Sequence, residues 1–211
     1  GDSTTDGVGT TGWSSATGHE TQDSNNGGWG TVDYICTKSY SYVLEQLIKE
    51  EMKTENPRIY NIGYSGTHYN WIIPKLEAIF SGVYSDVKMV GLVHGINDRL
   101  LATNHKGYSE KFTRDLETVV EFLLERNIQP FMVTCQAVLE SGTTEPVTYP
   151  NRTSESINSV ANKCKYEVAK KYGLEVLDMN SFGELVLSYS KYNCTELCKD
   201  KLHFGDIGHK L

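Results

Sequence analysis

Apolar and polar positions fall in blocks along this chain, and the period changes from block to block. Tyr40, Val43, Leu44, Leu47, Ile48 and Met52 recur at helical spacing and predict a helix over residues 37–53, with Pro57 just beyond it. Residues 58–62 read as a short strand, 63–67 as a turn, and 69–80 as a helix bent at Pro74. Residues 87–93 form a near-continuous apolar run, which predicts a strand buried on both faces. Phe112, Leu116, Val119, Val120, Leu123 and Leu124 then mark one side of an amphipathic helix over 109–126. A second buried strand is predicted over 128–135, a loop over 136–152, and a helix over 154–172 that Gly173 ends. A short strand at 174–177, a helix at 181–190 and the first turn of a helix at 205–211 complete the pattern. Residues 7–34 show neither period. They are rich in Gly, Ser, Thr and Asn, and their two tryptophans, Trp13 and Trp29, point to a loop packed on the domain.

Strands that alternate with helices of ten to twenty residues imply an α/β fold with a parallel sheet covered by helices. Sites in such folds open beyond the carboxyl ends of the strands, so the residues that follow each strand matter most. The 211 residues suffice for one sizeable core, and a single domain is expected over 1–211. Lys and Arg number 20 against 27 Asp and Glu, a net charge of −7 with no basic run, so nucleic acid is not an expected partner. No apolar stretch approaches the roughly 18 residues of a membrane span. The five cysteines (Cys36, Cys135, Cys164, Cys194 and Cys198) lack the spacing of a zinc site, and no metal is expected. Cys194 and Cys198 are near enough in sequence to bridge if their segment is a loop.

The strand ends carry a set of groups suited to ester hydrolysis. A serine nucleophile needs a base, the base needs a carboxylate, and the developing oxyanion needs donors. Asp200 and His203 are spaced so that a turn sets the carboxylate beside the imidazole. Asn97, past the apolar run, offers an amide NH2, and Gly63 offers a backbone N–H in a strand-to-helix turn. Ser3 sits in Gly1-Asp2-Ser3, where small neighbours permit a tight turn. Asp2 is expected to brace that turn, Asp98 to order its own turn through backbone N–H groups, Asp178 to cap a helix, and His209 to cap or pack.

These residues resemble the SGNH, or GDSL, hydrolases in four blocks that occur in family order. The blocks are Gly1-Asp2-Ser3, Asn61-Ile62-Gly63-Tyr64-Ser65-Gly66, Gly95-Ile96-Asn97-Asp98 and Asp200-Lys201-Leu202-His203, and they span nearly the whole chain. The resemblance implies a three-layer α/β/α sandwich around a flavodoxin-like, mostly parallel five-stranded sheet, whose first strand lies upstream of Gly1 in a longer natural chain that can carry further domains. It implies Ser3 as nucleophile, His203 as base, Asp200 as its carboxylate, and an oxyanion hole from the Ser3 and Gly63 N–H groups and the Asn97 amide. It requires no cofactor. The expected substrate is a small-molecule or glycan ester, and acetyl on carbohydrate is favoured because Trp13, Trp29, Tyr64, His68, Trp71 and His94 are placed to line the pocket. A lipase, thioesterase or acyltransferase of the same family is the alternative enzyme, and a carbohydrate-binding module that kept the fold is the alternative without chemistry. A flavodoxin-like cofactor domain would need a Gly-rich phosphate loop that is missing here.

Overall fold

The computed structural model of the chain describes residues 1–7, 11, 40–53, 59–82, 84–98, 105–135, 138–139, 146–147, 157–189, 197 and 203–211. Ser3–Asp6 is a single helical turn, α1. Asp2 caps it by accepting the Thr4 N–H at 3.1 Å, and Gly7 closes it in the left-handed conformation, returning its N–H to Ser3 and Thr4. The helix α2 runs Tyr40–Met52, inside the predicted span. Its apolar stripe is only partly covered, and Leu44, Leu47 and Met52 are exposed.

The region predicted as one bent helix is two helices joined by a tighter turn. α3 spans Tyr69–Ile72, a 3-10 turn covers Ile73–Lys75, and α4 spans Leu76–Ser81. Pro74, which lacks an N–H to donate into a continuous α-helix, sits in the 3-10 turn.

Three strands form a parallel sheet in the order β1, β2, β5. β1 is Met89–Leu92, β2 is Gln129–Val133 and β5 is Val176–Leu177. Leu92 pairs with Met132, and Met132 with Val176. The crossovers are α5 (His105–Glu125) and α6 (Ile157–Tyr172), long enough to return a chain to the start of a parallel neighbour. α5 begins four residues before its predicted start. Its inward stripe of Phe112, Leu116, Val119, Val120 and Leu123 is buried, each such side chain contributing about 1.5–3 kcal/mol on removal from water. α5 and α6 pack on each other and on β2, which centres the core there. α7 (Met179–Tyr189) and α8 (Asp206–Lys210) follow.

Three expectations are corrected. Residues 59–62 are extended but join no ladder, because among the described residues no strand lies where they could pair; the Ile59 N–H instead donates to Glu45 at 2.8 Å. The 87–93 run is not buried on both faces: Met89 is 62% exposed and Val90 and Gly91 are only partly buried. The predicted loop at 136–152 contains an antiparallel pair, β3 (Val138–Leu139) and β4 (Pro146–Val147), too short for a periodic signal. Cys36, Cys194 and Cys198 lie outside the described residues; Cys135 and Cys164 are buried free thiols.

Candidate active site

Hydrogen bonds link the first three sequence blocks and His203 of the fourth into one cluster beyond the carboxyl end of β1. The first and second blocks are stitched by backbone and side chain together. The Tyr64 N–H donates to the Gly1 carbonyl at 3.0 Å, and Asn61 Nδ2 donates to the Thr5 carbonyl at 2.6 Å. Gly63 packs directly on α1. A Cβ at that position would come within 2.4 Å of the Asp6 backbone nitrogen, so only glycine permits the approach. The same Asn61 amide donates to Ser41 Oγ at 2.9 Å, and its oxygen accepts the Gly63 N–H at 2.9 Å. Asn61 is thereby a buried brace with bonds to α1, α2 and the Gly63 turn.

The third block is joined to the second through Thr67 and Tyr69. Asn97 Nδ2 donates to the Thr67 carbonyl at 3.1 Å, which leaves the second amide hydrogen for another acceptor. Asp98 accepts the Tyr69 N–H at 3.0 Å and so orders the start of α3, a backbone bond to a distant segment where one within its own turn was expected. Its other oxygen, Oδ2, has no partner among the described residues, and burial pushes the carboxyl up to about 7. Thr67 Oγ1 donates to the Tyr64 carbonyl at 2.6 Å, which uses its single hydrogen. His94 Nε2, 3.1 Å from the same oxygen, is therefore the donor of that bond. Burial drives the His94 imidazole well below its ordinary pKa, so the ring is neutral and carries its hydrogen on Nε2.

The last block closes the cluster. His203 Nε2 lies 2.9 Å from Ser3 Oγ, and Ser3 is only 7% exposed. The Ser3 N–H, at the open start of α1, has no partner among the described residues. Asp2, beneath it, is fully buried, and that burial raises its carboxyl pKa. His209 accepts the Tyr40 N–H on Nδ1 at 3.1 Å and caps the start of α2. Burial lowers it to about 4, so it stays neutral. The Tyr40 hydroxyl reaches Thr5 Oγ1 at 3.0 Å, adding a second tie to α1.

Of the proposed lining residues, Tyr64 and Trp71 stack at 5.2 Å and 21°, with Lys75 Nζ 4.2 Å from the Trp71 ring centre. Two neighbours thus cover Trp71, and Tyr64 is the ring it supports. His68 is half-buried at the start of α3, and burial lowers its pKa. Trp13, Trp29 and Asp200 lie outside the described residues. Sequence reasoning missed Asn61 as a brace, Thr67 as a junction, and Lys165, which is fully buried. Lys165 was legible in principle: Ala161, Cys164, Val168 and Ala169 mark the inward stripe of α6, and position 165 falls within it.

A serine hydroxyl bonded to a histidine imidazole beside a parallel sheet defines a serine hydrolase of the α/β class. The chain belongs to the GDSL-like lipase/acylhydrolase family, whose family model matches residues 1–211, and it is a serine ester hydrolase of that type. Solved structures share the fold. An acetyl xylan esterase, AlAXEase, aligns with a TM-score of 0.64 at 19% identity, over 82% of this chain and 86% of that one. LAE5, an alpha/beta hydrolase enzyme from the metagenome of Lake Arreo, Spain, gives 0.69 at 19% identity, over 99% and 87%. A variant of Axe2, an acetyl xylan esterase from Geobacillus stearothermophilus, gives 0.62 at 18% identity, over 99% and 86%. Among curated protein sequences nothing matches this chain. No helix among the described residues is long and apolar enough to cross a membrane.

Proposed function

We propose that the chain hydrolyses small acyl esters, acetyl on carbohydrate above all, through an acyl-enzyme on Ser3. The observation that carries this reading is the 2.9 Å contact between His203 Nε2 and Ser3 Oγ. Ser3 Oγ attacks the ester carbonyl carbon while its proton passes to His203 Nε2. The carbonyl oxygen becomes an oxyanion, held by the Ser3 N–H and the free hydrogen of the Asn97 amide. The Gly63 N–H, which donates to Asn61 Oδ1 in this structure, is assigned as the third donor and would have to turn part of that bond toward the oxyanion. As the carbonyl re-forms, the C–O bond to the sugar breaks, and His203 returns the proton to the leaving sugar oxygen. Water then attacks acyl-Ser3 with His203 again as base, and the free acid departs. Asp200 is assigned to the Nδ1 side of His203, where a carboxylate fixes the tautomer and stabilises the charged ring.

The carbohydrate part rests on the Tyr64 ring backed by Trp71, and on two similar structures being acetyl xylan esterases. One observation favours a second reading, a longer acyl group. Met179, Phe182, Val186, Leu197, Phe204 and Leu211 line a small apolar groove, and Phe204 adjoins His203 in sequence. A series of p-nitrophenyl esters separates the two readings. Acetate is expected to react fastest, and a rate that climbs with chain length would assign the groove to the acyl group. Ser3→Ala is expected to abolish hydrolysis of p-nitrophenyl acetate and acetylated xylo-oligosaccharides with the fold intact. Retained activity in that variant would overturn the mechanism.

A further inference from the structure

Lys165 lies on the inward face of α6 with no exposed surface. A buried ammonium is costly unless its hydrogens are all accepted, and an apolar side chain of similar volume would pack at that position with less penalty. Its three hydrogens have three acceptors: the Val133 carbonyl at 2.6 Å, the Val93 carbonyl at 3.1 Å and Cys135 Sγ at 3.9 Å. No carboxylate is in direct contact with it among the described residues, so its hydrogens go to two carbonyls and a sulfur.

The placement of those acceptors is specific. Leu92 and Met132 are partners in the ladder, so Val93 and Val133, one residue further on, stand at the same level on neighbouring strands. Lys165 therefore clamps the carboxyl ends of β1 and β2 where the chain leaves the sheet for Asn97. The loop it clamps passes close by. A Cβ on Gly95 would lie 3.5 Å from Lys165 Nζ and 2.6 Å from Cys135 Sγ, and Gly95 has a φ of +157°. Asn162, one turn earlier on the same face of α6, accepts the Cys135 N–H at 2.7 Å and holds the other strand end. The charge of Lys165 also acts on Asp2, His94 and Asp98, all of them around the Ser3 cluster.

We infer that Lys165 is a positioning residue of the oxyanion site. It fixes the segment from Val93 to Asn97 so that the Asn97 amide meets the developing negative charge. The inference rests on the esterase reading of Ser3 and Asn97.

The test compares Lys165→Gln and Lys165→Met with the parent and with Ser3→Ala, on p-nitrophenyl acetate, after circular dichroism has established folding. Gln keeps a donor and loses the charge; Met loses both. For a folded Lys165→Gln protein, kcat is expected to fall about ten- to a hundred-fold with KM within about two-fold, the signature of a misplaced group rather than lost binding. In an Asn97→Ala background the same substitution is expected to cost little more, since the group it positions is gone. A folded Lys165→Gln protein with parental kcat overturns the inference, as does full additivity with Asn97→Ala. If both variants fail to fold, Lys165 is assigned to stability alone, which also overturns it. Activity retained by Ser3→Ala would instead sink the esterase reading, so the two failures are distinguishable.

Discussion

The side-chain oxygen of Asn61 accepts the Gly63 N–H at 2.9 Å. Its amide nitrogen donates to Thr5 and Ser41, so one buried side chain satisfies three elements that meet at the Ser3 turn. Asn61→Ala would leave a buried N–H and a buried carbonyl without partners. The expected loss is about 1–3 kcal/mol, read from the urea midpoint, together with a lower kcat as the Gly63 turn loosens. A variant as stable as the parent would show that water or a neighbour replaces the brace.

Asn97 is held by the Thr67 carbonyl through one amide hydrogen. If the other serves the oxyanion, Asn97→Ala is expected to lower kcat about 10²–10³-fold with little change in KM. Steady-state kinetics on p-nitrophenyl acetate decide it. A defect confined to KM would mean that Asn97 binds substrate and does not stabilise charge.

Asp98 is buried, and its pKa is raised to about 7, chiefly by that burial. The folded protein therefore binds this proton more tightly than the unfolded chain. The sign follows: Asp98 makes stability fall as pH rises from about 4 through about 7. Asp98→Asn removes that dependence while keeping an oxygen for the Tyr69 N–H. The stability gap between the two proteins, measured by thermal unfolding against pH, is expected to move in favour of the variant across that window. A gap independent of pH would contradict it.

Asp178 does the reverse. Burial opposes its ionisation, but Ser181, Tyr166 and Thr134 all donate to its carboxylate and hold it at about 2. Its stabilisation is present above the ordinary carboxylate range and is lost as pH falls through about 2. Asp178→Ala is expected to cost about 0.5–2 kcal/mol at neutral pH, as for other helix caps, with kcat unchanged. The difference from the parent should close in acid denaturation near the folded-state value, and a difference that persists there would speak against the cap.

The long periodic elements were legible from sequence because their burial is local and repetitive. Phe112 to Leu123 in α5 announces its own face, and so does the stripe of α6. The edges were less legible. Nothing in the apolar run around Met89 says that β1 is hydrogen-bonded on a single side among the described residues, because that depends on which strand lies next to it. The candidate site was legible as residue types in order, Ser3, Gly63, Asn97 and His203, because ester chemistry restricts the choices, and of these the structure sets His203 against Ser3. Its supports were not, because Asn61, Thr67 and Lys165 act through contacts between distant segments. A lysine two positions from Lys163 reads as surface until the helical phase is drawn and 165 falls among Ala161, Cys164, Val168 and Ala169.

The contact between Ser3 and His203 joins positions 200 residues apart. Closing a span of that length costs little more free energy than closing one half as long, since the entropy grows only with the logarithm of the span. The consequence lies in time rather than in stability. A pairing this remote in the chain must wait for the helices and the sheet between its ends. Upon dilution from denaturant, helical signal is expected to return first and turnover last. Esterase rate in this protein is thus a clock for the final step of assembly.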